Sequence, residues 1–151
     1  MSVNYYDKNA QEFYDGTVNV EMQSLYNEFL PLIPQGGAIL DAGCGSGRDT
    51  LAFKFQGFKV HPIDASAELA QLAEALIKQP VEVTTFLQFN ASVRFDAVWA
   101  CASLLHVPFD ELPLAFNNLA TPLTAQKLWI TSDLRKGREK EQWLNAILVK
   151  S

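Results

Sequence analysis

Residues 41–47 combine residue types that can hold a small ligand against the protein backbone. The segment reads DAGCGSG, with Asp41 two positions before the first of three glycines, Gly43, Gly45 and Gly47. Glycine loses more backbone entropy than any other residue when it is fixed, so three in five positions need a physical reason. A glycine backbone can pass close to a ligand, and a following helix offers free N–H groups at the positive end of its dipole. The alternative is a plain glycine-rich turn, but one turn rarely needs three glycines.

The loop is predicted to connect a strand to a helix. AILDA (38–42) is a short apolar segment that suits a buried strand. After the loop, DTLAFKFQG (49–57) carries apolar residues on one side of a helix, and Gly57 suits a left-handed C-cap. The loop therefore lies where a strand ends and a helix begins.

The same alternation continues along the chain. Strands are predicted at 58–64, 81–86, 95–102 and 128–132, and helices at 20–30, 65–79 and 113–120. Ser66 is expected to cap the helix at 65–79. Strands that alternate with helices indicate βαβ units and a parallel sheet, so the predicted fold is α/β and doubly wound. Ligands of such sheets bind beyond the carboxyl ends of the strands, where the strand order reverses.

Composition limits the classes of function. A chain of 151 residues with 48% hydrophobic content fits one globular domain. A net charge of −5 argues against nucleic acid as a partner, because phosphate contacts need a clustered basic surface. Two cysteines without a secretory start predict a cytoplasmic location, and no apolar stretch approaches the roughly 18 residues of a membrane span. No metal is expected.

The spacing of the glycines distinguishes between two cofactor classes. The dinucleotide fingerprint G-x-G-x-x-G/A needs a third small residue, and Arg48 occupies that position here. The pattern present is D-x-G-x-G-x-G. An NAD-dependent dehydrogenase is therefore disfavoured.

The chain resembles the class I S-adenosylmethionine-dependent methyltransferases, which have a Rossmann-like, mostly parallel sheet. ILDAGCGSGRDTLAF (39–53) looks like their first motif and VHPIDAS (60–66) like their second. FDAVWACASLLHVPFDELP (95–113) looks like the strand 4 segment of the tellurite-resistance-type, small-molecule branch. NYYDKNAQEFYDGT (4–17) resembles their N-terminal cap. The resemblance implies S-adenosylmethionine as the cofactor.

The resemblance also implies roles for the first two motifs. The backbone of residues 43–47 would pass the methionine and ribose moieties, and Asp41 would lie near the methionine amine. Asp64 would accept hydrogen bonds from both ribose hydroxyls, unless it is an ordinary surface-turn aspartate. Ala65 would flank the adenine. Cys44, between glycines, is interpreted as a small filler rather than a nucleophile.

Residues after the third and fourth predicted strands would complete the cofactor pocket. Gln88 and Asn90 are the candidates for the adenine amino group, where relatives usually have an acidic or amide side chain. Ala100 and Cys101 would line the pocket, with Leu105 nearby. A leucine at this position is equally suited to the core.

One residue near the expected position of the methyl acceptor is a candidate general base. His106 lies where several relatives keep polar groups near the acceptor, and a histidine can take a proton near neutral pH. Methyl transfer depends mostly on approach geometry, so a histidine that caps the turn before Pro108 is an equally good interpretation of His106. Tyr6 and Tyr14, together with Tyr5, would form a lid over the cofactor, with ordinary helix packing as the alternative.

Three segments depart from the family pattern. Pro62 lies within a predicted strand, where it removes a ladder donor. TPLTAQK (121–127) replaces the usual glycine turn before the strand at 128–132. The tail at 133–151 can supply one helix or one strand. The resemblance therefore implies a C-terminally truncated member that lacks the usual last strands and has an exposed or differently covered sheet edge. We expect a homodimer, or a monomer that aggregates readily, with strand 128–132 and the tail up to residue 149 at the contact.

We expect a single methyltransferase-like domain with three parts: a helical cap (1–35), an S-adenosylmethionine-binding core (36–132) and a shortened tail (133–151). The predicted function is transfer of a methyl group to a small soluble acceptor. The alternative is a non-catalytic, S-adenosylmethionine-binding remnant of a longer methyltransferase.

Overall fold

Most strands of the sheet run parallel, so their carboxyl ends lie at the same edge. The computed structural model describes residues 3–124, 127–132 and 144–149. Six strands are present in this part of the chain: β1 (Ala38–Ala42), β2 (Lys59–Asp64), β3 (Glu82–Val83), β4 (Ala97–Ala100), β5 (Lys127–Ser132) and β6 (Leu144–Val149). Their order in the sheet is β3-β2-β1-β4-β6-β5. The strand that leads into the glycine loop, β1, therefore lies between β2 and β4.

The helices of the described residues are short. They are α1 (Val3–Lys8), α2 (Ala10–Thr17), α3 (Gln23–Phe29), α4 (Arg48–Phe55), α5 (Ala67–Ile77) and α6 (Leu112–Ala120). Single 3-10 turns occupy Leu30–Leu32 and Leu104–His106. None of these helices is long and apolar enough to cross a membrane.

Helices cover both faces of the sheet, which confirms the predicted doubly wound α/β fold. Ile39 and Leu40 are adjacent in β1 and fully buried, and they belong to separate core clusters because successive strand residues face opposite sides. Ile39 packs with α3 and Phe53 of α4, whereas Leu40 packs with residues of α6 such as Leu119. Apolar burial on two faces holds β1 in the centre of the sheet.

Two local signals in the sequence act as expected. The hydroxyl oxygen of Ser66 accepts a hydrogen bond from the backbone N–H of Leu69 at 3.2 Å, which caps α5. At the end of α4, Gly57 adopts a φ of +90°. The N–H of Gly57 bonds to the carbonyl of Lys54, and the N–H of Phe58 bonds to the carbonyl of Phe53, a Schellman arrangement.

The strand limits differ from the predicted ones. The third strand was expected over 81–86 but spans only Glu82–Val83. The N–H of Thr84 still bonds to the carbonyl of Asp64, and the chain then turns through a hydrogen bond from the N–H of Phe89 to the carbonyl of Thr85. Pro62 lies immediately before the two residues of β2 that pair with β3, so its missing donor interrupts no pair between these strands.

Within the described residues the tail contributes one strand, as the sequence allowed, but its position between β4 and β5 was not predicted. β6 lies between β4 and β5 and is antiparallel to both. β5 therefore does not pair with β4, as a plain parallel continuation would require, and instead ends the sheet of the described residues. β4 is buried at all four positions, and β6 gives it a second hydrogen-bonded neighbour besides β1. The predictions for 1–2, 125–126, 133–143 and 150–151 lie outside the described residues.

Candidate functional site

The glycine loop is tied to the end of β2 by backbone hydrogen bonds. The N–H groups of Gly43 and Cys44 both donate to the carbonyl of Ile63 at 2.9 Å. The N–H of Gly45 donates to Oδ2 of Asp64 at 2.8 Å. The first two predicted motifs therefore meet in one crevice at the carboxyl ends of β1 and β2.

The glycines are required where the loop passes close to other elements. Gly43 has a φ of +80°, and a Cβ there would lie 2.5 Å from Cβ of Ser103. Gly47 has a φ of +81°, and its Cβ would lie 2.9 Å from Cγ2 of Ile77 in α5. Both positions exclude a side chain by backbone conformation and by space. Packing thus supplies a reason for two of the three glycines.

Asp64 is held by two backbone donors. Its Oδ1 accepts from the N–H of Ser66 at 2.9 Å, and its Oδ2 accepts from Gly45. Burial raises the pKa of this carboxyl, while the hydrogen bonds from Ser66 and Gly45 oppose that shift. Each carboxylate oxygen keeps a further lone pair, so Asp64 can also accept from two ligand hydroxyls. Ala65 follows it and is half-buried.

Asp41 lies at the end of β1 and is buried, with 1% of its surface exposed. The hydroxyl of Thr50 donates to its Oδ2 at 2.6 Å. Burial, followed by the nearby charge of Asp49, raises the pKa of Asp41 to about 8. This carboxyl therefore retains its proton more readily than an exposed aspartate.

An ion pair at the start of α4 was missed by sequence reasoning, which used Arg48 only to exclude a dinucleotide fingerprint. Arg48 donates to both carboxylate oxygens of Asp49, at 2.7 and 3.0 Å, and to the carbonyl of Thr17 at 3.3 Å. Asp49 also accepts from the hydroxyl of Tyr26 and from Nε1 of Trp99, the latter at 2.8 Å. The carboxylate thereby joins α3, α4 and β4 beneath the glycine loop. The only sequence signal for this arrangement is the adjacent Arg-Asp pair at the start of a helix. The other two partners of Asp49, Tyr26 and Trp99, are 23 and 50 residues away in the chain.

The segment after β4 forms the opposite wall of the crevice. Ala100 ends β4 and is buried, while Cys101 is half-buried. Ala102 has a φ of +53°, an uncommon conformation for a residue with a side chain. The hydroxyl of Ser103 donates to the carbonyl of Ala42 at 2.7 Å, which fixes this wall to the end of β1. Leu105 is 42% exposed, so it is not a core leucine.

The thiol of Cys44 is buried in the loop. Burial, with Asp41 and Asp64 nearby, raises its pKa well above the ordinary value. A nucleophilic cysteine needs the opposite shift, so this environment agrees with a small filler.

The N-terminal helices lie against the crevice. The hydroxyl of Tyr6 and Nε2 of His106 are 2.8 Å apart, and the ring of Phe13 lies 3.1 Å from the position of a Cβ on Gly45. Burial lowers the pKa of His106. Tyr14 lies on α2 and is half-buried. The structure therefore brings Tyr6 and His106 together, although they are 100 residues apart in the chain.

Gln88 and Asn90 are exposed in the loop that follows β3. The amide oxygen of Gln88 accepts a hydrogen bond from the hydroxyl of Thr85 at 3.2 Å. Asn118 of α6 donates to the carbonyls of Phe86 and Leu87, at 3.0 and 2.9 Å, and so fixes the loop. Among the described residues, no group of three or more His, Cys, Asp or Glu side chains is arranged to hold a metal ion.

Known structures share this fold. Magnesium protoporphyrin IX methyltransferase (ChlM) from Synechocystis PCC 6803, solved with bound S-adenosylmethionine, has a TM-score of 0.67 and 17% identity, covering 100% of this chain and 86% of that chain. N-methyltransferase NodS from Bradyrhizobium japonicum WM9, solved with S-adenosyl-L-homocysteine, has a TM-score of 0.68 and 13% identity, covering 94% and 98%. The structure described as a DhpI-SAM-HEP complex has a TM-score of 0.61 and 21% identity, covering 99% and 79%. At these identities the likeness establishes the fold.

Sequence comparison identifies the family. No curated protein matches the chain significantly. Residues 14–147, which include the glycine loop, Asp64 and the segment after β4, match the family described as a methyltransferase domain. Because this match spans well over half of the chain, the protein belongs to the methyltransferase domain family.

Proposed function

We propose that the protein is an S-adenosylmethionine-dependent methyltransferase of the class I type that acts on a small soluble acceptor. The observation that carries this proposal is the hydrogen bond between the N–H of Gly45 and Asp64, which joins the glycine loop to the carboxylate ending β2. This junction lies at the carboxyl ends of parallel strands, in a chain of the methyltransferase domain family. The S-adenosylmethionine and S-adenosyl-L-homocysteine bound in the structural neighbours support the same cofactor.

The residues present fit this cofactor. Asp64 has lone pairs left for the two ribose hydroxyls after its backbone bonds are counted. Asp41 would attract the methionine amine from behind the loop, directly or through water. Ala65 would flank the adenine, with Gln88 and Asn90 near its amino group. Ala100, Cys101 and Leu105 would line the wall after β4.

The bound cofactor would supply an electrophilic methyl group on a sulfonium, and the protein would supply orientation. Displacement at such a methyl needs an in-line approach, which positioned walls and exclusion of water favour. His106 would accept the proton of an acceptor O–H or N–H. Its lowered pKa keeps the imidazole neutral near pH 7, so a ring nitrogen can act as a base.

The acceptor class is inferred from charge and from the neighbours. The net charge of −5 disfavours a nucleic-acid acceptor. The names of the structural neighbours include a magnesium protoporphyrin IX methyltransferase and a sugar N-methyltransferase, KedS8 from Streptoalloteichus sp ATCC 53650. A small-molecule acceptor is consistent with both names. The proposal also includes membership in the tellurite-resistance-type branch, the division into cap, core and tail, and a cytoplasmic location.

Isothermal titration calorimetry tests the cofactor. We expect heat from S-adenosylmethionine and S-adenosylhomocysteine and none from NAD. Replacement Asp64→Ala should weaken S-adenosylhomocysteine by about 1.5–3 kcal/mol, the scale of a hydrogen bond to a charged group. The control is Asp110→Ala, because it removes the same charge from an exposed side chain. Heat from NAD alone would contradict the proposal.

Turnover is a separate measurement. Production of S-adenosylhomocysteine, followed by mass spectrometry, should be detected with at least one member of a panel of thiols, amines, halides and oxyanions. Tight cofactor binding without turnover on any acceptor would favour the alternative of a non-catalytic S-adenosylmethionine-binding protein.

We also propose that the chain forms a homodimer through the free edge of β5. The tail was expected at the same contact, but its strand β6 is paired with β4 on one side and with β5 on the other. β5 is the last strand of the sheet in the described residues, and β6 pairs with one of its two sides. An edge strand exposes a row of backbone N–H and C=O groups that a second copy can pair with.

A further inference from the structure

The hydroxyl of Tyr6 occupies a nitrogen of His106 that a methyl acceptor would have to reach. It lies 2.8 Å from Nε2 of the imidazole. Burial lowers the pKa of His106, so near pH 7 the ring is neutral and only one of its two nitrogens can accept a hydrogen bond. With the ring proton on Nδ1, that nitrogen is Nε2, and the Tyr6 hydroxyl donates to it. An acceptor that gives its proton to Nε2 must therefore displace the hydroxyl of Tyr6.

Three rings surround the ring of Tyr6 and form what we call the aromatic site: Tyr5, Phe13 and His106. Their centroids lie 5.6, 5.2 and 5.4 Å from the centroid of the Tyr6 ring, and all three contacts are edge to face. This is the arrangement that the quadrupole of an aromatic ring favours. The aromatic site is thus shaped for a ring that carries a hydroxyl, and the phenol of Tyr6 fills it.

The surroundings keep a phenol in this position protonated. Burial, followed by the charge of Asp64 and by Tyr5, raises the pKa of Tyr6. Because the phenolate is disfavoured, a phenol bound in place of Tyr6 would lose its proton only as its oxygen is methylated. The neutral Nε2 of His106 is a base within hydrogen-bond distance of that oxygen.

Apolar side chains lie exposed beside His106. Leu105 precedes it and is 42% exposed, Tyr5 is 50% exposed, and Phe109 in the loop before α6 is 90% exposed. An apolar ligand that covered such side chains would be stabilised by the hydrophobic effect. Residues 101–112 contain two acidic residues and no lysine or arginine, so an anionic substituent would meet no opposite charge in this segment. These features favour a phenol with an apolar, uncharged substituent.

We propose that the methyl acceptor is a phenol with an apolar substituent, which replaces the Tyr6 side chain beside His106 and leaves as its methyl ether. This inference rests on the proposed function. The phenol oxygen forms a bond to the methyl carbon, while the carbon–sulfur bond breaks and leaves its electron pair on the sulfur of S-adenosylhomocysteine. The phenolic proton passes to Nε2 of His106, which then releases it to water. Tyr6 is half-buried, so rotation about its side-chain bonds can carry its ring toward solvent.

Binding to protein saturated with S-adenosylhomocysteine tests the acceptor class without turnover. The probe is p-cresol, which has the ring and hydroxyl of a tyrosine side chain. Toluene lacks the hydroxyl, and 4-methylcyclohexanol lacks the aromatic ring. In a titration followed by nuclear magnetic resonance, p-cresol should bind about fivefold more tightly than either, the scale of one hydrogen bond or one aromatic pair.

Variants locate the bound p-cresol. Tyr6→Phe removes the competing hydroxyl, so p-cresol should bind it about fivefold more tightly than wild type, because no bond to Nε2 has to be broken first. The matched control is Tyr5→Phe, which removes the hydroxyl of the adjacent tyrosine and keeps its ring, and should bind p-cresol as wild type does. His106→Ala should abolish the preference for p-cresol over toluene.

Turnover provides a second measurement. With S-adenosylmethionine and p-cresol, mass spectrometry should detect 4-methylanisole. His106→Ala should form it about a hundredfold more slowly, within the range that general-base catalysis contributes.

The outcomes distinguish this inference from the proposed function. Wild-type protein that binds no S-adenosylhomocysteine in calorimetry would overturn the proposed function itself. Wild-type protein that binds it, but binds p-cresol no better than toluene and 4-methylcyclohexanol, would overturn the phenol acceptor alone, as would turnover confined to amines or thiols. Equal p-cresol affinity in Tyr6→Phe and Tyr5→Phe would place the probe elsewhere and overturn it too. The comparison of the three probes uses wild-type protein, so it decides the inference even where a variant loses its near-ultraviolet circular dichroism.

Discussion

Thr50 donates its hydroxyl to Oδ2 of Asp41 at 2.6 Å, and both side chains are buried behind the glycine loop. One neutral donor compensates only part of the cost of burying a carboxylate. The charge of Asp49 adds to that cost, and together with burial it raises the pKa of Asp41. The ligand-free protein therefore favours a protonated Asp41 near neutral pH.

Stability should fall as the pH rises. In the unfolded chain Asp41 ionises near pH 4, whereas in the folded chain it keeps its proton up to about pH 8. The stabilisation from this group is thus complete below pH 4 and is lost by pH 8, at most about 1.4 kcal/mol per pH unit. Urea unfolding from pH 5 to 8 measures the slope. Asp41→Asn should flatten it, with the exposed Asp15→Asn as control; an equal slope in both variants would contradict this assignment.

Cofactor binding should depend on pH in the opposite direction. If the methionine amine lies near Asp41, binding favours the carboxylate and releases its proton. Affinity for S-adenosylhomocysteine should then rise between pH 6 and 8, by at most about tenfold per pH unit. Calorimetry in two buffers with different ionisation enthalpies counts the released proton. Asp41→Asn should bind more weakly and lose the buffer dependence, and retention of that dependence would assign the proton to another group.

The Asp49 carboxylate should be a major stabilising centre. Tyr26→Phe removes one donor and should lower the free energy of unfolding by about 1–3 kcal/mol. Asp49→Ala leaves the Arg48 guanidinium without its partner and should cost about 3–5 kcal/mol. Urea unfolding measures both. The matched control is Tyr5→Phe, whose ring is half exposed and whose loss should cost little; equal losses in Tyr5→Phe and Tyr26→Phe would contradict the assignment.

The sequence predicts best where a local pattern and a backbone constraint agree. The helix caps at Ser66 and Gly57 are made by hydrogen bonds between residues no more than five positions apart. The residue types alone were therefore sufficient to predict both caps. The parallel direction of β1 to β4 also followed from the alternation of strands and helices. That Asp64 lies near the glycine loop was also predictable in outline, because the carboxyl ends of the parallel strands β1 and β2 lie at the same edge of the sheet.

Long-range partners could not be predicted in the same way. The contacts of Asp49 with Trp99 and of Tyr6 with His106 join residues 50 and 100 positions apart, and no local pattern encodes them. The position of β6 between β4 and β5 likewise depends on pairing between distant segments of the chain. β3 is shorter than the predicted strand at 81–86 because the chain turns after Thr84, where the N–H of Phe89 bonds to the carbonyl of Thr85.

The proposed dimer should be visible in concentration-dependent measurements. β5 pairs with β6 of its own chain, so one row of its backbone groups lies at the sheet edge of the described residues. Multi-angle light scattering at micromolar concentrations should give twice the mass of the chain, and exchange protection of β5 amides should increase with concentration. A monomer at all concentrations, with constant protection of β5, would mean that the chain covers its own edge.

Gly47 should tolerate no side chain. Its φ of +81° costs an alanine about 1–2 kcal/mol, and the new Cβ would meet Ile77 of α5 at 2.9 Å and Cβ of Ala73 at 3.1 Å. Since strain and overpacking add, Gly47→Ala should lower the free energy of unfolding by about 2–4 kcal/mol. Gly16 is the control, because it lies in α2 with no atom within 4 Å of a Cβ, and Gly16→Ala should raise stability by up to about 1 kcal/mol. Urea unfolding of both variants measures the contrast; a Gly47→Ala protein as stable as Gly16→Ala would mean that α5 can move away from the loop.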